Sequence, residues 1–215
     1  MGESAIVLCG GRSSRMRRDK AGLPFGGETL LARVARLAGE AAGDVVLVAR
    51  EGQLLPGGVS HVAGVDQWPG AEPRHRVVRD PAEGLGPLAG IAAGLAAIRG
   101  TRALVVACDM PLLRPALARR LLELSQGEAA VVPVVGGFPV PTCAVYARFA
   151  AALAAELVLA RELRPRVFLE RLKARYVSAE ELRDADPELE SFEDCDSEEE
   201  YLAALGLAGF SARRR

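Results

Sequence analysis

The chain has 215 residues, half of them hydrophobic, enough to bury one sizeable core, and its formal net charge is −1. Against that near-neutral balance, residues 12–20 hold Arg12, Arg15, Arg17, Arg18 and Lys20 with only Asp19 opposing them. A chain built for general nucleic-acid binding is basic over a whole face, so charge this concentrated excludes nucleic acid and favours a small anionic ligand. No apolar run is long enough to span a bilayer and no cationic segment precedes an apolar one at the start, so neither a membrane span nor a secretory signal is expected. Cys9, Cys108, Cys143 and Cys195 lie far apart without a CxxC pair, and read as free thiols of a cytoplasmic protein.

In chain order, strands are predicted at 5–9, 45–49, 76–79, 103–108 and 129–135, most of them apolar without alternation, as suits strands covered on both faces. Helices are predicted at 28–42, 87–98 and 115–125 between them, and at 148–160, 165–176 and 197–206 beyond. Ser197 with Glu200 three residues on makes a capping box for the last helix. The βαβα order predicts a three-layer α/β sandwich around a Rossmann-like, mostly parallel sheet, in one domain over 1–210 with a tail at 211–215. The stretches "EGQLLPGGVSH" and "DQWPGAEPRH" read as surface loops, and the only histidines, His61 and His75, as surface residues within them.

Ligands of an open parallel sheet sit at the carboxyl ends of its strands, and three segments fall there. After the first strand comes "GGRSSRMRRDK", which has neither GxxxxGK[ST] nor GxGxxG, although "GLGPLA" (84–89) formally fits GxGxxA. Its glycines, Gly10 and Gly11, leave room for a nucleotide to approach the backbone, and Lys20 is placed to neutralise charge as pyrophosphate leaves. Asp109 ends the run "ALVVACD" as either a magnesium ligand or the cap of the next helix. Asp80 has the same placement after the third run, where Asp-Pro is also a common start to a loop. No Ser-His-Asp set and no GxSxG is present.

"LCGGRSSRMRRDKAGLPFGG", "GPLAGI" and "ACDMPLL" together resemble the opening, the glycine-proline turn and the metal-binding segment of the molybdenum cofactor guanylyltransferases. "PTCAVY" and "FEDCDSEEEYLAAL" resemble that family's later HPxxAxY and FxNxNTPEDL stretches. The resemblance implies a Mg²⁺-dependent nucleotidyltransferase that joins GMP from GTP to the molybdopterin cofactor and releases pyrophosphate. It places Leu8, Cys9 and Gly10 at the guanine, with the Gly10-Gly11 pair favouring GTP over CTP. It places Lys20 on phosphate, Asp80 on the nucleotide, and Asp109 on both nucleotide and Mg²⁺, and catalysis is expected to come from orientation and from charge stabilisation by Lys20, the loop arginines, Arg15 among them, and Mg²⁺. Asp196 stands near a second metal ligand of related transferases, and next to Ser197 it equally suits a helix cap. Product delivery to molybdoenzyme chaperones or cofactor-insertion proteins is implied in the same way.

Arg17 and Phe138 replace the family's glycine and histidine, its asparagine at the end of the second strand is replaced near Val48 and Ala49, and Asp194 and Asp196 replace two further asparagines. Transfer of CMP, transfer to a sugar or polyol phosphate, and a non-catalytic nucleotide-binding role are the alternatives that the shared cradle leaves open.

Overall fold

A computed structural model describes residues 2–9, 19–58, 60–62, 65–69, 75–80 and 85–211. The expectations at Gly10, Gly11, Arg15 and Arg17, and at most of the tail, lie outside the described residues.

The strands are β1 (Ser4–Leu8), β2 (Pro24–Phe25), β3 (Glu28–Thr29), β4 (Asp44–Arg50), β5 (Ser60–Val62), β6 (Val65–Trp68), β7 (His75–Asp80), β8 (Arg102–Ala107), β9 (Ala130–Val135), β10 (Phe138–Pro139), β11 (Cys143–Ala147) and β12 (Arg175–Ser178). The α-helices are α1 (Leu30–Gly39), α2 (Pro87–Ala97), α3 (Pro115–Leu124), α4 (Ala150–Leu159), α5 (Pro165–Leu172) and α6 (Glu198–Leu207). Apart from a small β2–β3 hairpin, the described strands form one sheet in the order β10-β9-β11-β8-β1-β4-β7-β6-β5, with β12 also pairing β9.

The centre, β8-β1-β4-β7, is parallel, so Leu8, Arg50, Asp80 and Ala107 end their strands along one rim. Both flanks turn antiparallel, at β8-β11-β9-β10 and at β7-β6-β5.

The unbroken apolar runs of β1, β4 and β8 follow from burial on two sides. On one face Val7, Leu47 and Val106 pack with Leu31 and Val34 of α1 and Leu117 of α3. On the other, Ile6, Val46 and Val105 pack with Ile91 and Leu95 of α2 and Phe168 of α5. This is the three-layer sandwich expected. No described helix is long and apolar enough to cross a membrane.

Helix starts follow local chemistry. Thr29 Oγ1 accepts from Ala32 N (3.2 Å) to cap α1, and α2, α3 and α5 each begin with proline, whose missing N–H is no loss there. The helix predicted over 165–176 stops at Leu172, where Lys173 takes a left-handed conformation (φ 53°, ψ 49°). Arg175–Ser178 then supplies a parallel partner to the otherwise open edge of β9, with Val177 fully buried.

Both stretches read as loops also need correction. Each contributes to a strand, and Gln53 and Leu55 are buried. The two histidines lie in β5 and β7 rather than in loops. His75 is buried and stacked on Trp68, whose Nε1 donates to Pro56 O (2.5 Å). Burial lowers the pKa of His75 despite the opposing charge of Asp44.

At the rim opposite the parallel strand ends, Asp44 accepts two hydrogen bonds from Arg76 Nη2 (2.7 and 2.8 Å), one from Ser4 Oγ (2.8 Å) and one from Arg99 N (3.1 Å). Burial works to raise the pKa of its carboxyl, and these bonds, Arg76 first, carry it below the ordinary value. A depressed carboxylate stabilises the fold above its unfolded pKa, and that contribution is lost as pH falls through the folded one. Asp44→Asn is therefore expected to cost about 1–3 kcal/mol at pH 7, with the gap to wild type closing below about pH 4, in denaturant titrations across pH.

Glycines let α2 lie close on the sheet. A Cβ added at Gly94 would stand 2.6 Å from Ile6 Cγ2, inside the core, whereas one added at Gly206 of α6 meets nothing within 4 Å. Gly94→Ala should lower stability, since overpacking costs about 1–3 kcal/mol against about 1 kcal/mol of helix propensity gained. Gly206→Ala should raise stability by about 0.5–1 kcal/mol, so the two melts should shift in opposite directions.

Candidate active site

The hydrogen-bond ladder runs one residue past the central strands. Cys9 N donates to Val48 O (2.8 Å) and Cys108 N to Leu8 O (3.0 Å), which places Asp109 on the rim beside the end of β1. Lys20 reaches the same point from a short 3₁₀ turn, Lys20–Gly22, fixed by Asp19 Oδ1 accepting from Ala21 N (3.1 Å). Its Nζ donates to Asp109 Oδ2 at 2.8 Å and also to Asp196 Oδ1.

Asp196 arrives by a different route. Leu23, Phe25 and Leu30 pack with Leu112, Cys195, Ala204 and Leu205 in a satellite core that holds α6 against the β2–β3 hairpin. Cys195 N donates to Asp109 O (2.9 Å), so the neighbouring Asp196 is set across the ammonium from Asp109. The expected residues Lys20, Asp109 and Asp196 thus form one cluster.

Neither aspartate is a helix cap. The residue before α3 is Arg114, and α6 is capped by Ser197, whose Oγ accepts from Glu200 N (3.2 Å) while its own N donates to Glu200 Oε2 (2.7 Å).

Desolvation works to lower the pKa of Lys20, yet its hydrogen bonds and charge contacts with Asp109 and Asp196 outweigh this and raise it, so the group stays an ammonium ion across the neutral range. Asp194 feels the crowding of negative charge. Its carboxyl is pushed up to about 6 by desolvation first and then by Asp196, Asp109 and Glu200, with Lys20 opposing.

Among the described residues, no three His, Cys, Asp or Glu side chains form a ready-made metal cage. Magnesium needs less, since one or two carboxylates plus substrate phosphates hold it, and two carboxylates already converge on one cation, the Lys20 ammonium. This hard-oxygen donor set fits Mg²⁺, with Asp109 and Asp196 as the residues that could hold it.

The other expected site residues surround α2 and the strand ends. Leu8 is half-buried, and a Cβ at Gly90 would lie 3.1 Å from its Cδ2 and 3.9 Å from Asp80 Oδ2, so Gly90 seats α2 beneath both. Asp80 ends β7 and is in register with Arg50. The Cys9 side chain points into the core, where burial first and Asp19 second raise its thiol pKa, against Arg79 and a backbone bond, and its N–H and C=O are taken by Val48 O and Gln53 Nε2. Val48 is in the core, and Phe138 is exposed beside the turn between β9 and β10.

Sequence reasoning missed Gln53, which lies 5% exposed behind Lys20 and donates to Cys9 O (3.0 Å) and Asp19 Oδ2 (2.9 Å).

The three-layer fold that carries this cluster on its parallel rim is that of nucleotidyltransferases. Solved structures share the fold. Molybdopterin-guanine dinucleotide biosynthesis protein A from Archaeoglobus fulgidus is 25% identical with a TM-score of 0.75, covering 96% of this chain and 98% of that one. The 2-C-methyl-D-erythritol 4-phosphate cytidylyltransferase of Thermus thermophilus follows it at 20% identity and a TM-score of 0.65, covering 95% and 98%.

The chain belongs to the MobA-like NTP transferase domain family, whose pattern matches residues 5–176. It is 36% identical to a probable molybdenum cofactor guanylyltransferase of Pelotomaculum thermopropionicum, over 84% of this chain and 80% of the relative. It is 31% identical to one of Methanosarcina acetivorans so described, over 94% and 90%.

The cap and the cluster can be separated by mutation. Ser197→Ala should cost about 1 kcal/mol in a denaturant melt with little effect on nucleotidyl transfer. Asp196→Asn should leave the Ser197 cap of α6 in place while lowering transfer by about tenfold or more, an effect on transfer that Ser197→Ala lacks.

Proposed function

We propose that this protein transfers GMP from GTP to the molybdenum-molybdopterin cofactor, releasing pyrophosphate, with Mg²⁺ as the working cation. The observation that carries this reading is the Lys20 ammonium held by Asp109 and Asp196 at the ends of β1 and β8. The curated relatives named for that reaction at 36% and 31% identity support the choice of substrates. The guanine preference rests on Gly10 and Gly11.

The acceptor's terminal phosphate supplies the nucleophile. One of its oxygens bonds to the α-phosphorus of GTP, the bond to the bridging oxygen breaks, and pyrophosphate leaves with that electron pair. A phosphate oxyanion needs no base to activate it, so the chain's task is placement and charge compensation.

Lys20 is suited to this because its raised pKa keeps it cationic, a fixed charge for developing negative charge rather than a proton carrier. Mg²⁺ on Asp109 and Asp196 would supply further neutralisation of the triphosphate. The cysteines near the rim are poor nucleophiles. Burial raises the pKa of the Cys9 and Cys108 thiols, and it pushes Cys195 up to about 12, so these cysteines stay protonated at neutral pH and are not suited to act as nucleophiles.

Mixing the protein with GTP, Mg²⁺ and molybdopterin cofactor should release one pyrophosphate per guanylated product, and Lys20→Met should reduce the rate by about 100-fold or more. GTP with Mg²⁺ should raise the melting temperature more than CTP, UTP or ATP. Stabilisation by CTP with cytidylyl product, or no pyrophosphate at all, would replace this reading with one of its alternatives.

A further inference from the structure

Gln53 lies in the loop after β4, outside every segment so far tied to substrate, yet each polar group of its side chain is committed. Its Oε1 accepts from Arg50 N (3.0 Å), which orients the amide, and the Nε2 donates to Cys9 O (3.0 Å) and Asp19 Oδ2 (2.9 Å). Its own backbone is fixed as well, with N donating to Arg50 O (3.1 Å) and O accepting from Arg79 Nη1 (2.9 Å).

Cys9 and Asp19 flank residues 10–18, which carry Gly10, Gly11 and four arginines. The two hydrogens of one buried amide therefore join the last residue before that segment to the first residue after it. Asp19 passes the constraint on, because its other oxygen holds the Ala21 N–H of the turn that aims Lys20.

We infer that Gln53 is a positioning residue for nucleotide binding, an amide clasp that closes the base of the segment between β1 and Lys20 and sets the direction of the Lys20 side chain. The inference rests on the nucleotidyltransferase reading of that segment. The chemistry demands glutamine. Two donors must face a carbonyl and a carboxylate while an acceptor faces an N–H, a set that glutamate lacks on the donor side, lysine on the acceptor side and methionine on both. A clasp of this kind acts on the ordering needed to bind the triphosphate, so its loss raises KM before it lowers kcat.

The test uses the full chain with Gln53→Met, Gln53→Glu and Gln53→Asn. In the free protein, hydrogen exchange of backbone amides 19–23 should rise about fivefold or more in Gln53→Met while α6 and β8 keep wild-type protection. With Mg-GTP and acceptor, KM for GTP should rise about tenfold or more in Gln53→Met and further in Gln53→Glu, whose new charge faces Asp19. Gln53→Asn, which keeps the amide, should recover part of the loss. Unchanged exchange at 19–23, or a fall in kcat at constant KM that tracks melting temperature across the three variants, overturns the inference. Should one variant fail to fold, the remaining two give the same comparison. A wild-type protein that releases no pyrophosphate from GTP would refute the proposed reaction instead, leaving the exchange measurement to decide Gln53.

Discussion

Everything near the rim is arranged around one buried ammonium. A lysine side chain only 9% exposed must be paired, and the fold brings its partners from positions 109 and 196 to position 20. β1 and β8 lie side by side to place Asp109, the Asp19 turn aims Lys20, and the satellite core beneath α6 delivers Asp196. Truncating the lysine would leave two carboxylates facing each other, and removing either carboxylate would leave the ammonium half-compensated. The cluster is therefore a clamp on three distant parts of the chain.

Its charge is unbalanced in a useful sense. Asp109, Asp196 and the nearby Asp194 outnumber Lys20, so the cluster by itself does not attract a triphosphate. An anion approaching it is favoured when it brings a cation of its own, or when further positive groups stand close by. The arginines between positions 12 and 18 give the chain such groups directly upstream of Lys20. Burial first and this surplus of negative charge second hold the pKa of Asp194 above the ordinary carboxylate value.

The centre of the fold was legible in the sequence because β1, β4 and β8 are continuous apolar runs, a pattern that only burial on two faces explains. The flanks were not. β5, β6 and β12 are short and partly polar, β10 is only two residues long, and β12 exists because β9 offers it an edge, a relation between residues some 45 apart that no local period encodes. Of the cluster, Lys20 and Asp109 could be found from their place after apolar strands. Asp196 could not be separated from a helix cap, since Asp and Ser are both good caps and only geometry assigns that role to Ser197. Gln53 carries no sequence signal, because a hydrogen-bonding amide in a loop has neither periodicity nor charge.

The satellite core has a consequence for how the protein is made. Phe25 and Leu30 pack with Ala204 and Leu205, and the Phe210 ring lies close over Gly26, so the first and last parts of the chain are mutual packing partners. Synthesis proceeds from the amino end, and the central sheet has all its strands well before residue 196 is translated. The third member of the cluster takes its place only when α6 has cleared the ribosome and closed on a hairpin formed some 170 residues earlier. Until then the nascent chain carries a lysine with one carboxylate and an uncovered apolar hairpin.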